Sequence, residues 1–70
     1  MKVRCRLSRM MGERKMKITD VAEATGLNRS TISALYKETA RRVELETIEK
    51  LCHLFECEIG ELFELEQSPE

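Results

Sequence analysis

Ile18-Thr-Asp-Val-Ala-Glu-Ala-Thr-Gly-Leu-Asn-Arg-Ser-Thr-Ile-Ser-Ala-Leu-Tyr-Lys37 is the most informative stretch of the chain. Ile18, Val21, Ala22 and Thr25 recur at three- and four-residue steps, which predicts a helix over 18–25. Gly26 fits the left-handed position that ends a helix. Asn28 suits an N-cap, because its side-chain oxygen can accept the N–H of Ser30 or Thr31. A further helix is predicted over 29–37, with Ile32 and Leu35 inward and Tyr36 at the core edge. Two short helices then meet through a tight Gly-containing turn. Ala22 is small where the second helix must cross the first, and Leu27 covers the core after the turn. Arg29, Ser30, Ser33, Ala34 and Lys37 are left facing outward, a slim, polar and cationic set.

Apolar spacing predicts three more helices around this pair. Leu7, Met10 and Met11 form a stripe for a helix over 7–14, in which Gly12 is a weak point. Leu45, Ile48, Leu51, Cys52 and Phe55 form a stripe over 45–55, and Ile59, Leu62 and Phe63 suggest a short helix over 59–64. Glu44, Glu46 and Glu49 lie near the start of the fourth helix, where the dipole favours negative charge. Residues 38–44 lack apolar periodicity and read as a loop. The termini differ: Val3, Cys5 and Leu7 alternate with bases, while Phe63 and Leu65 alternate with glutamates. They suit a two-stranded ribbon with basic residues facing acidic ones, which needs support from the helices or from a second subunit because an isolated ribbon is marginal. The expected class is all-α: a compact five-helix domain over 1–70, with this ribbon as an addition and 67–70 as a frayed tail.

Seventy residues allow one domain and one core, and a chain this short buries only about 60% of its unfolded surface. That leaves little room for a deep catalytic cleft. His53 is the only histidine, no serine sits in a nucleophile motif, and no Gly-rich phosphate loop exists, so an enzyme is not expected. No apolar run approaches the roughly 20 residues of a membrane helix, and Met1-Lys-Val-Arg-Cys-Arg6 leads into no secretory signal. A cytoplasmic location is expected, nucleoid-associated in a prokaryote or phage-encoded. Cys5, Cys52 and Cys57 are odd in number and form no CxxC, which favours reduced thiols. A zinc site from them and His53 is disfavoured, because adjacent helical residues point about 100° apart. No metal, cofactor or small-molecule ligand is expected.

The net charge of −1 hides a division. Residues 1–42 carry eleven bases and four acids, a balance of +7, whereas residues 43–70 carry one base and nine acids, a balance of −8. Such asymmetry points to a polyanionic partner for the basic part. An acidic far side does not cancel the local field at a basic face. A slim helix with basic flanks also fits the major groove of double-stranded DNA, about 12 Å wide.

Met16–Lys37 resembles the central motif of the Cro- and lambda-repressor-like (XRE-type) helix-turn-helix regulators. Leu45–Phe55 and Glu58–Phe63 are similar to the family's fourth and fifth helices, so the resemblance covers about 7–64. It implies a compact five-helix domain that binds a two-fold-related operator as a dimer and regulates transcription, most often as a repressor. Two places depart from the family pattern. Lys17 and Ile18 stand where Ser or Thr often caps the second helix and Gln begins it. Lys37-Glu38-Thr39 replaces the Asn-Gly that often follows the third.

On this reading Arg29, Ser30, Ser33 and Ala34 contact bases. Arg29 is the best reader, since arginine pairs bidentately with guanine, and Ala34 suits a thymine methyl. Lys17, Thr31, Lys37, Thr39, Arg41 and Arg42 are assigned to the phosphate backbone. Arg14 and Lys15 are either further contacts or solvated charges. One recognition helix reads too few base pairs to select a genomic site, so a homodimer on half-sites about one helical turn apart is expected. Ile59, Phe63 and Leu65, or the segment Val3–Leu7, are candidate dimer surfaces. The same fold used as an antitoxin or a protein-interaction module is the alternative.

Overall fold

The structure, a computed structural model, describes residues 2–66. A strand β1 (Lys2–Cys5) leads into helices α1 (Leu7–Glu13), α2 (Ile18–Thr25), α3 (Arg29–Tyr36), α4 (Leu45–Phe55) and α5 (Ile59–Leu62), and a strand β2 (Phe63–Glu66) follows. The expected tail at 67–70 lies outside the described residues. The class is therefore mostly helical with a ribbon, not purely α. The fifth helix stops at Leu62 rather than 64, because Phe63 turns extended (φ −124°, ψ 144°) and enters β2.

The two strands pair antiparallel, with Lys2 opposite Glu66, Val3 opposite Leu65, Arg4 opposite Glu64 and Cys5 opposite Phe63. Alternation sorts the faces: Val3, Cys5, Phe63 and Leu65 share one, and the charged residues share the other. Arg4 pairs with Glu66 at 2.9 Å and Arg6 pairs with Glu64. Cys5 and Phe63 pack against the core, and the Arg6 N–H donates to the Leu62 carbonyl at 2.8 Å. These attachments supply the support that an isolated two-stranded ribbon lacks.

Leu7, Met11, Val21, Ile32, Leu35, Leu51, Phe55 and Leu62 form the core, with Ala22 and Leu27 packed against it. Every helix sends at least one residue inward. In α4 the buried row is Thr47, Leu51 and Phe55, at four-residue steps, while Leu45 is 82% exposed. The expected stripe was misplaced at this end: Leu45 lies about 120° around the helix from Leu51. Tyr36 is also more exposed than expected, at 43%.

The helix stops are the least obvious part of the fold. Gly26 is left-handed (φ 75°, ψ 8°), and its N–H donates to the Ala22 carbonyl at 2.8 Å. Lys15, Glu38 and Glu56 are left-handed too, with φ of 55°, 58° and 51°. After each of these the next N–H reaches back five residues: Met16 to Met11 at 2.8 Å, Thr39 to Ala34 at 2.9 Å and Cys57 to Cys52 at 3.0 Å. These are Schellman-type stops, in which backbone N–H groups satisfy carbonyls orphaned at the helix end. Three of the four left-handed residues are not glycine, so each carries roughly 1–2 kcal/mol of steric cost.

A Cβ at Gly26 or at Gly12 would meet nothing within 4 Å, so substitution there tests backbone conformation alone. Gly26→Ala is expected to cost about 1 kcal/mol because its φ is positive. Gly12→Ala, inside a helix and without a positive φ, is expected to gain up to about 1 kcal/mol. Urea unfolding of the two variants checks the opposite signs.

Candidate nucleic-acid interface

The interface begins at the cap of α3. Asn28 is extended (φ −70°, ψ 138°), and its Oδ1 accepts the Ser30 N–H at 3.3 Å and the Ser30 hydroxyl at 3.2 Å. This ties down the first turn, which carries Arg29. Ile32 and Leu35 anchor α3 inward, so rotation of the helix is fixed by burial. Arg29, Ser30 and Lys37 are then exposed, and Ser33, Ala34 and Thr31 are half-buried. α2 packs across α3, with the small Ala22 part-buried beside the core.

Further cations are exposed on the neighbouring segments of the chain. Lys17 is the exposed N-cap of α2, and its backbone N–H donates to Asp20 Oδ2 at 2.8 Å. Asp20 thus supplies from inside the helix the carboxylate partner that a lysine cap cannot. The exposed Lys17 ammonium remains for an anion. Arg41 and Arg42 are exposed on the loop after α3, where a shallow groove is lined by Ser30, Thr31, Ala34, Ala40, Arg41 and Arg42. Thr39 is exposed, with its hydroxyl donating to the Ala34 carbonyl at 3.4 Å. Among the described residues, no ion pair engages Lys17, Arg29, Lys37, Arg41 or Arg42.

Arg14 is engaged at the end of α4. Its guanidinium donates to the carbonyls of Leu54 at 3.2 Å and Phe55 at 2.9 Å and sits 5.4 Å from the Phe55 ring centroid. A cation there satisfies the end of α4 and complements its dipole. Arg14 is a structural residue, a role its position in the sequence did not suggest.

Arg4 and Glu38 are the residues that sequence reasoning missed. Glu38 follows Lys37 directly, in the middle of the basic surface. Arg4 Nε donates to Glu38 Oε1 at 2.8 Å, Arg4 Nη2 donates to Oε2 at 3.2 Å, and the Cys5 N–H donates to Oε1 at 3.1 Å. The Arg4 hydrogen bonds, followed by the Cys5 N–H, hold the Glu38 carboxyl below the usual carboxylate range. The pair is 34 residues apart, so no local signal marks it.

Among the described residues no group of three or more His, Cys, Asp or Glu is placed to hold a metal ion. No described helix is long and apolar enough to cross a membrane.

The sequence model of the Cro/C1-type helix-turn-helix (HTH) DNA-binding domain matches residues 6–68. A protein of Bacillus subtilis (strain 168) named as an uncharacterized HTH-type transcriptional regulator, YozG, is 33% identical over 55 residues. The aligned region is 79% of this chain and spans 66% of the length of that relative.

Proposed function

The chain belongs to the Cro/C1-type helix-turn-helix DNA-binding domain family, and from that premise we propose that it regulates transcription by placing α3 in the major groove of double-stranded DNA. The observation that carries this reading is the outer face of α3, which stays clear of the core and is flanked by cations without carboxylate partners among the described residues. In this reading the arrangement is lambda-repressor-like. Arg29, Ser30, Ser33 and Ala34 read base edges; Lys17, Thr31, Lys37, Thr39, Arg41 and Arg42 grip phosphates.

The protein acts as a homodimeric repressor on an inverted-repeat operator. Of the candidate dimer surfaces, Leu7 is fully buried, and Phe63 and Cys5 are half-buried. Val3, Ile59 and Leu65 remain exposed and apolar. Val3 and Leu65 are cross-strand partners on one ribbon face, a patch that suits a two-fold contact with a second copy.

Selection of bound sites from a random DNA pool tests the proposal. An inverted repeat is expected to enrich. Arg29→Ala is expected to relax preference at one half-site position by about 1–3 kcal/mol, whereas Arg42→Ala weakens all sequences alike. Uniform weakening by both variants would remove Arg29 from the role of reader. Absence of any enriched sequence would favour an interaction module.

A further inference from the structure

Glu38 poses a problem for a surface that receives phosphates. Its neighbours Lys37 and Thr39 are exposed, and Arg41 and Arg42 follow within four residues. A free carboxylate here would repel the same polyanion that these residues attract. The backbone makes the position harder to vary than its composition suggests. Glu38 is left-handed at φ 58°, which closes the stop of α3 and sends the loop towards Ala40.

The carboxylate is turned away by β1. Both of its oxygens are engaged by Arg4, in the two-pronged geometry that arginine offers and lysine does not. The Cys5 N–H takes a further lone pair of Oε1. Arg4 in turn donates through Nη1 to Glu66 of β2 at 2.9 Å, so one guanidinium joins both strands to the end of α3. Arg4 and Glu38 are half-buried, with side chains 41% and 27% exposed. A charge-assisted pair with two parallel bonds holds its geometry better than a single-point surface pair.

We propose that Arg4 is a positioning residue for DNA binding: it withdraws the Glu38 carboxylate from the phosphate-facing loop and fixes the left-handed turn from which Lys37, Thr39, Arg41 and Arg42 project. The terminal ribbon thereby becomes part of the interface without touching DNA. Opening the ribbon returns a negative charge to the surface and loosens the loop. This inference rests on the placement of α3 against DNA proposed above.

A rescue experiment tests it, using the full chain and a labelled duplex bearing the enriched site. Affinity is measured by fluorescence anisotropy at about 0.1 M salt, and folding of each variant is checked by thermal melting. Arg4→Met is expected to weaken binding about tenfold, the scale of one phosphate contact at that salt. Glu38→Gln in the Arg4→Met background is expected to restore affinity to within about twofold of the unsubstituted protein, because no carboxylate is left to expose. If Arg4→Met fails to fold, Arg4→Lys replaces it: it keeps the charge and loses the two-pronged grip. A loss of less than about tenfold, again reversed by Glu38→Gln, is then expected.

Unchanged affinity on breaking the pair overturns the proposal. So does a loss that Glu38→Gln leaves in place, which would mean that Arg4 itself holds a phosphate. Failure of the unsubstituted protein to bind any duplex overturns the DNA-binding reading and this inference with it. Strong binding by that protein together with an indifferent Arg4 overturns this inference alone.

Discussion

Raising the salt from about 50 to about 200 mM is expected to weaken binding to random-sequence duplex DNA roughly 500-fold per bound copy. Lys17, Arg29, Lys37, Arg41 and Arg42 are exposed and make no ion pair among the described residues. Each phosphate they neutralise releases counterions and adds about 0.9 to the slope of log affinity on log salt, so five give a slope near −4.5. The formal charge of −1 would suggest weak binding, but the acidic balance belongs to residues 43–70. Anisotropy titrations at several salt concentrations give the slope directly. A value near −9 would mean that two copies bind together, whereas one shallower than about −2 would leave most of these cations off the DNA.

Leu51→Ala is expected to lower the unfolding free energy by about 3 kcal/mol, within the range for core leucines. Leu51 is fully buried in the cluster that α1, α2, α3 and α5 also enter. A chain of this size has roughly 4–10 kcal/mol in total, so a large part of its stability goes with one side chain. Because Ile32 and Leu35 belong to the same cluster, the loss is expected to act on the anchoring of α3 as well. The control is Leu45→Ala. That leucine belongs to the same apolar stripe in the sequence but is 82% exposed, so a change within about 0.5 kcal/mol is expected. Equal effects in urea unfolding would show that the buried row of α4 has been misassigned.

The contrast between Leu45 and Leu51 marks where periodicity runs out. A three- and four-residue rhythm locates a helix but leaves its rotation ambiguous by a residue at each end. Only the packed partners select Thr47, Leu51 and Phe55 as the inward row. For α3 the rhythm was enough, because Ile32 and Leu35 are its principal apolar residues and Asn28 caps it locally. The ribbon was legible too, since alternation and opposite charge are both local patterns. Its conversion of Phe63 from helix to strand was not, because that depends on β1 arriving from the other end of the chain.

Local chemistry therefore determined the five helices, the Asn28 cap, the Gly26 stop and the exposure of Arg29, Ser30 and Lys37. Each depends on side chains acting within about one helical turn. The folded chain alone decided the left-handed stops at Lys15, Glu38 and Glu56, the capture of Arg14 by α4 and the Arg4–Glu38 pair. A left-handed turn at a lysine or glutamate has no glycine to announce it, and an ion pair spanning half the chain exists only once the core has brought its ends together.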